Sequence, residues 1–431
     1  MFGSFMKITN FKFQIILIVA ISLLAGYFLG VNKVNLEWKD YKPKFQIISK
    51  EPPSGVIAID ATPFWTVWEK LQTNYYDKSK LDTQKMLNGA INGMVATLGD
   101  PFTMYLPPVA NNNFKQGLAG QFSGIGAELG TKDKQIIVIA PLAGSPAEKS
   151  GIKAGDAILD VDGQSTGGWS LSQTVEKIRG PKGTSVSLKI QHKDENSPKE
   201  IKITRDIITV KSVEGWVKPV DCSTKCQVVD ASKASPNGAS VSYIRLSQFG
   251  DNTNQEWQQA VTDINTKIKA SKNVKGLILD LRNNPGGYLT DATFIASEFL
   301  DQGLSIVSED DGTPVNKKTL YVSRKGVFTN ISVVILINKG SASASEIVAG
   351  AMRDNNRAKL VGETSFGKGT IQEAEDLGGG AGLHITIAKW LTPNGTWVNG
   401  TGLKPDFLVT PNSKDPSQDT QLEKAIEVLV K

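Results

Sequence analysis

Residues 332–372 run SVVILINKGSASASEIVAGAMRDNNRAKLVGETSFGKGTIQ, and no other stretch limits the fold of this chain so tightly. Val333 to Ile337 is an apolar run long enough for one buried strand. A turn of small residues follows, Lys339-Gly340-Ser341-Ala342-Ser343-Ala344-Ser345, and then a helical pattern from Glu346 to Met352 with Ala349, Gly350 and Ala351 on it. A second, shorter strand-like run, Lys359 to Gly362, leads to the glycine-flanked Phe366-Gly367-Lys368-Gly369. A strand, a tight turn and a helix bring one turn side chain to the helix N-terminus, where backbone N–H groups are free to bind an anion. A serine at that place is a candidate nucleophile with half of an oxyanion hole already supplied.

The usual activating partner would be histidine, and the chain has only two, His192 and His384. His192 lies in Gln191-His192-Lys193-Asp194, which reads as a solvated loop or strand end. His384 shares one face of a strand pattern with Thr386 and Ala388, while Ile385 and Ile387 take the other. Neither suits a Ser-His-Asp triad, which leaves the Ser-Lys variant. A lysine serves as a base only where burial or its neighbours hold it neutral near neutral pH. Lys368, between two glycines, close to Phe366 and after an apolar strand, suits that condition. The residues alone leave Ser341, Ser343 and Ser345 as competing nucleophiles.

GSASASEIVAGAMRDNNRAKLVGETSFGKGTIQ closely resembles the active-site region of the C-terminal processing peptidases, or tail-specific proteases. The resemblance implies Ser343 as nucleophile and Lys368 as base, 25 positions apart, with Gln372 orienting the lysine. Ser341 and Ser345 then become structural residues that fit a crowded turn and can cap the helix. DLRNNPGG, ending at Gly286-Gly287, matches the same family. It implies that an N–H of Gly286 or Gly287 is the second oxyanion donor beside Ala344. NGTGLKPD (399–406) resembles the family's closing motif, and NYYDKSKLD with GAINGMVATLGDPFTMYLPP its N-terminal helical region.

The composition, 40% hydrophobic and 21% charged in 431 residues, is that of a globular chain of two or three domains. The net charge of +5 is small, and no basic stripe interleaves with aromatics, so nucleic acid is not an expected partner. Phe13 to Val31 holds about nineteen residues without a charge, enough for one membrane span, preceded by Lys7 and Lys12. With no clear Ala-x-Ala site after it, the segment reads as an uncleaved anchor rather than a removed signal peptide. Lysines also follow it, so charge bias leaves the orientation open. Cys222 and Cys226 are the only cysteines. Their spacing allows a small disulfide loop or two free thiols, and a pair alone makes a poor zinc site.

In chain order, residues 1–31 form the anchor and 32–55, polar and bearing Pro43, Pro52 and Pro53, a stalk. Residues 56–115 are a helical region whose stripes, Phe64, Trp65, Val67, Trp68, Leu71 and Tyr75, then Met86 to Leu98, are expected to be core. Residues 116–208 change to short strands, and SPAEKSGIKAGDAILDVDG resembles a PDZ domain. Such a domain binds an extended peptide on a sheet edge and its terminal carboxylate in backbone N–H groups. Gly124-Ile125-Gly126 matches the carboxylate loop. Arg179 matches an arginine that some relatives use to link peptide capture to activity. Residues 209–239 read as an irregular junction carrying the cysteines, and 240–431 as the catalytic core.

The expected fold is therefore α/β: one transmembrane helix, a helical region, a PDZ domain and a mixed α/β core of the ClpP and crotonase type. What the resemblance implies is a serine endopeptidase that recognises a protein's C-terminus through its PDZ domain and cuts nearby; the apolar N-terminal run adds a membrane anchor, with the catalytic part outside the cytoplasm. Its partners would be proteins and peptides with free C-termini, and a homo-oligomer is compatible with it. No Walker loop, dinucleotide fingerprint or metal cluster is present, so neither a cofactor nor a metal is expected. The rival reading is an inactive membrane-anchored PDZ adaptor that binds protein C-termini.

Overall fold

A computed structural model describes residues 17–24, 27, Val34–Lys39, Lys42–Ile47 and 60–431, the last without 133–134, 143, 194, 196, 234, 236–237, 272, 314–316, 413–414 and 416–417. The chain divides into two compact units, Met1–Met86 and Leu87–Lys431.

In the first unit, residues 17–24 and 27 are helical and exposed. The remainder of the expected span, 13–31, lies outside the described residues. Among the described residues no helix is long and apolar enough to cross a membrane. Strands β1 (Val34–Lys39) and β2 (Lys42–Ile47) pair antiparallel, with Leu36 opposite Phe45. Both strands fall inside the segment expected to be a stalk, where Val34, Leu36 and Trp38 alternate with polar residues at a strand period. Helix α1 (Thr62–Asn74) starts at Pro63 and leads to α2 (Thr83–Ala96), which crosses into the second unit. Neither helix buries a residue. The stripe expected to be core is not buried: Phe64, Trp65, Val67 and Leu71 are exposed and Trp68 and Tyr75 half-buried, with Phe64, Trp65 and Trp68 packed on one another.

The second unit continues with β3 (Met104–Leu106) and α3 (Pro108–Leu118). A small domain follows, with β4 (Gln121–Gly124), β5 (Ala127–Lys132), β6 (Gln135–Pro141), α4 (Pro146–Lys149), β7 (Ala157–Val161), β8 (Gln164–Ser165), α5 (Leu171–Ile178), β9 (Ser185–Gln191), β10 (Lys199–Thr204) and β11 (Asp206–Thr209). Its sheet order is β10-β9-β7-β6-β5 with β8 on β7, while β4 pairs with β11. Ile136, Val138, Ile158, Leu188, Ile190 and Ile203 fill its core.

The large domain comprises β12 (Val213–Asp221), β13 (Gln227–Val228), β14 (Ser240–Leu246), α6 (Thr253–Ala270), β15 (Val274–Asp280), α7 (Leu289–Ala296), β16 (Ser305–Asp310), β17 (Lys317–Tyr321), β18 (Val333–Ile337), α8 (Ala344–Asp354), β19 (Ala358–Gly362), β20 (Thr370–Gly378), β21 (Ala381–Leu391), β22 (Phe407–Leu408) and α9 (Thr420–Val430). One sheet runs β13-β12-β14-β15-β18-β19-β22, parallel from β14 to β22, and a second runs β17-β16-β21-β20 with β3 on β21. Residues 209–239 are thus not only a junction: β12 pairs along its length with β14, and Trp216 stacks on Tyr243.

Strands β15, β18 and β19 are buried on both faces along most of their length, which explains their apolar runs. Leu277, Leu279, Ile335 and Ile337 enter the core that holds Trp257 of α6 and Trp390, while Ile278, Val334 and Leu336 meet Ala425 and Ile426 of α9. Each such aliphatic side chain contributes about 1.5–3 kcal/mol. That packing holds the carboxyl ends of β15, β18 and β19 side by side, and the loops that leave those ends meet.

Candidate active site

Three loops meet there. Leu281–Gly287 leaves β15, Asn338–Ser343 leaves β18 and Glu363–Gly369 leaves β19. Backbone bonds stitch them: Ala342 N to Asn284 O at 3.0 Å, and Phe366 N to Ser341 O at 2.9 Å. An open α/β sheet ordinarily binds its ligand at the carboxyl ends of its strands.

Ser343 is the N-cap of α8 and sits at φ 54°, ψ −115°. A non-glycine residue held there stores on the order of 1–3 kcal/mol and persists only where its surroundings enforce it. The three serines of the run differ sharply. Ser341 is buried and its hydroxyl donates to Leu281 O at 2.8 Å while accepting from Asn338 N at 2.9 Å. Ser345 is buried and donates to Asn284 O at 2.9 Å. Neither caps the helix, as had been expected of them. Of the three, only Ser343 is not fully buried.

Glu346, fully buried one turn into α8, joins the loops. Its Oε2 accepts from Ser343 N at 2.8 Å and from Lys368 N at 2.9 Å, and its Oε1 from Gly367 N at 2.7 Å and Ser365 Oγ at 2.5 Å. The amides of both residues picked from the sequence thus donate to one oxygen. Sequence reasoning missed Glu346, although Ser343-x-x-Glu346 has the spacing of a capping box. The Lys368 amine lies 5.1 Å from the centre of the Phe102 ring. Burial pushes its titration below the ordinary lysine value, against the pull of the Asp100 and Glu346 carboxylates. Among the described residues no hydrogen bond joins Ser343 Oγ to Lys368 Nζ. Such bonds commonly tighten only with substrate in place. Gln372 Nε2 donates to Thr370 Oγ1 at 2.8 Å and Thr386 Oγ1 at 3.0 Å, and among the described residues it makes no hydrogen bond to the lysine.

The two glycines are distinguishable. Gly286 N donates to Asn284 Oδ1 at 2.9 Å, whereas no partner of Gly287 N or Ala344 N is found among the described residues. Gly286 lies against the nucleophile: a Cβ on it would stand 2.8 Å from Ser343 Cβ and 3.0 Å from Ala344 N. A Cβ on Gly287 would stand 1.7 Å from Phe249 O. Both have positive φ, 97° and 141°, so the sequence needs glycine at each.

In the small domain, Gly124, Ile125 and Gly126 form the turn between β4 and β5, with Gly126 at φ 75°. β5 has a strand on one side only and faces α5 on the other. Arg179, the C-cap of α5, lays its guanidinium over Phe122, 5.2 Å from the ring centre. Of the two readings given to His192, the strand end holds: it directly follows β9, but it is buried rather than solvated, its Nδ1 2.9 Å from Asp156 Oδ1. His384 is a strand residue of β21, its ring edge-on to Phe114 at 4.4 Å; burial first and the Lys368 charge second push its titration down. Cys222 and Cys226 are joined in a disulfide.

Residues 240–409 match the model of peptidase family S41, 114–191 that of the PDZ domain and 54–108 that of the activating protease CtpB N-terminal domain. The chain is 35% identical over 406 residues to the carboxy-terminal processing protease CtpB of Bacillus subtilis (strain 168), covering 94% of this chain and 78% of that protein. It is 37% identical over 344 residues to a probable CtpA-like serine protease of Staphylococcus aureus (strain COL), covering 80% of this chain and 63% of that protein. Among solved structures, a photosystem II D1 C-terminal processing protease is similar, with a TM-score of 0.50, 29% identity, and coverage of 87% of this chain and 98% of that one.

Proposed function

Because the chain belongs to the C-terminal processing peptidases of family S41, serine-type peptidases with a PDZ domain, we propose that Ser343 and Lys368 are its catalytic dyad and that its PDZ domain delivers protein C-termini to them. The observation that carries this is the single buried carboxylate of Glu346, which receives the amides of both residues. Burial of the Lys368 amine supports the neutral form that a base requires. Neutral Lys368 takes the Ser343 proton as Oγ attacks the scissile carbonyl. The N–H groups of Ala344 and Gly287 receive the oxyanion. The lysine ammonium protonates the departing amine, and Lys368 then deprotonates the water that hydrolyses the acyl-enzyme. Gln372, whose amide donates to two threonine hydroxyls, orients the amine in this reading.

The open edge of β5 accepts the substrate tail as an added strand, with its carboxylate at the Gly124–Gly126 turn. Residues 13–31 anchor the chain in a membrane with the catalytic part outside the cytoplasm. The Cys222–Cys226 disulfide supports an oxidising compartment. The test is cleavage of an unstructured protein with an apolar C-terminus by the full chain in detergent, beside Ser343→Ala and Lys368→Ala, with a C-terminally amidated substrate in parallel. Cleavage that needs both side chains and is slowed by amidation supports the reading. Cleavage that survives either substitution refutes the dyad, and binding without any cleavage points to an adaptor.

A further inference from the structure

The turn between α2 and β3, residues 99–103, reaches the lysine pocket from a part of the chain far from every motif of the site. Phe102 N donates to Asp100 Oδ1 at 3.0 Å and Thr103 Oγ1 to Asp100 Oδ2 at 2.6 Å, so the turn is wound around the Asp100 carboxylate. Two contacts fix the turn to the catalytic sheet. Met104 to Leu106 pair with Gly382 to His384 of β21, and Thr386 N donates to Thr103 Oγ1 at 3.0 Å. The hydroxyl of that same Thr386 accepts from Gln372 Nε2. Phe102 lays its ring against the Lys368 amine.

We infer that Asp100 is a positioning residue of the proteolytic site: its carboxylate is the counter-charge that sets how readily Lys368 gives up its proton, and its turn holds Thr386, and through it Gln372, beside the amine. This rests on Lys368 acting as the base. Three ionisable groups, each from a different element, interact electrostatically with that amine: Asp100 from the turn, Glu346 from α8 and His384 from β21. Burial pulls the Asp100 carboxyl up, but the hydrogen bonds from Thr103, Thr386 and the Phe102 amide outweigh it and hold the carboxyl below its ordinary value. Asp100 is therefore anionic wherever the enzyme works. Its charge favours the lysine ammonium, whereas burial favours the free amine that catalysis uses. The enzyme's acidic limb is the balance of the two.

Asp100→Asn keeps an acceptor for Thr103 and removes the charge. The acidic limb of its kcat/KM profile should move to lower pH by roughly one unit, while Asp100→Glu should keep the limb of the wild type. Thr386→Val, which leaves the charge but removes the hydroxyl that holds Gln372, should lower kcat several-fold without moving the limb. The lysine itself can be read in the full chain carrying Ser343→Ala, by acetylating it with acetic anhydride across pH and quantifying Lys368 by peptide mass, with and without Asp100→Asn. A midpoint that falls with Asp100→Asn supports the inference. An unchanged midpoint in a variant that unfolds at the wild-type temperature overturns it. A midpoint that falls while the limb of the active enzyme stays in place overturns instead the assignment of Lys368 as the base.

Discussion

Glu346→Gln is the most informative single substitution, because it changes one oxygen of a carboxylate that ties two loops together. Four donors converge on that group, two on each oxygen. The glutamine retains one carbonyl oxygen and can satisfy one pair. Its amide nitrogen must face the other pair, donor against donor. Hydrogen bonds to a charged acceptor are worth about 1.5–3 kcal/mol each, so losing two costs about 3–6 kcal/mol. For a domain of this size that lowers the unfolding midpoint by roughly 10 °C. The amides of Ser343 and Lys368 also lose their common tether, and displacement of a catalytic group by about 1 Å costs on the order of 10²-fold in rate. We expect kcat and kcat/KM to fall together by that factor with KM little changed, the pattern of an interaction that matters in the transition state. Ser365→Ala is the control. It removes one donor from Oε1 and leaves both catalytic amides bonded, so it should cost stability but keep kcat/KM within about threefold. If Glu346→Gln loses stability and still cleaves at the wild-type rate, the carboxylate is structural and does not position the dyad.

Four further outcomes follow from the same geometry. Burial holds Lys368 below the ordinary lysine value of 10.5, and a base works when neutral. The kcat/KM profile should therefore rise with pH along a limb below that value and collapse as pH falls through it; a pH-independent profile would contradict this. Gly287→Ala places a Cβ on Phe249 O and displaces the proposed oxyanion donor, so kcat should drop by on the order of 10²–10³ in a cleavage assay. Asp291 is pushed up to about 6 by burial, and both its Oδ2 and Asn254 Oδ1 lack a donor among the described residues. The folded state thus keeps this proton to higher pH than the unfolded chain, and stability is lost as pH rises from near 4 through 6. Asp291→Asn should gain about 1–3 kcal/mol at pH 8 and nothing near pH 4, read as thermal midpoints at the two pH values. The Cys222–Cys226 disulfide closes a loop with a sequence separation of only 4. Replacing both cysteines by serine should cost about 2 kcal/mol and leave kcat/KM unchanged.

What was legible in the sequence was whatever a local period records. The run Val333–Ile337 reads as a buried strand because both of its faces are covered, and α8 follows from the small residues after it. Strand β12 escaped because Gly215 and Pro219 interrupt its alternation, and its place comes from pairing with β14, a contact no local pattern encodes. The aromatic stripe of α1 has the period of a core helix, but a period reports that a face is apolar and not what covers it. The site divides along the same line. Ser343-x-x-Glu346 and Asn284-x-Gly286 are short-range signals, a capping box and an Asx turn, and both could have been read before any coordinates. Choosing Ser343 over Ser341 and Ser345 needed either the family resemblance or the burial of the other two hydroxyls. Phe102 against Lys368 belongs to neither class, because the two are brought together by the docking of the Asp100 turn and β3 on β21. A site assembled where several strand ends meet is written in its loops one residue at a time. The groups that tune it arrive from wherever the sheets happen to place them.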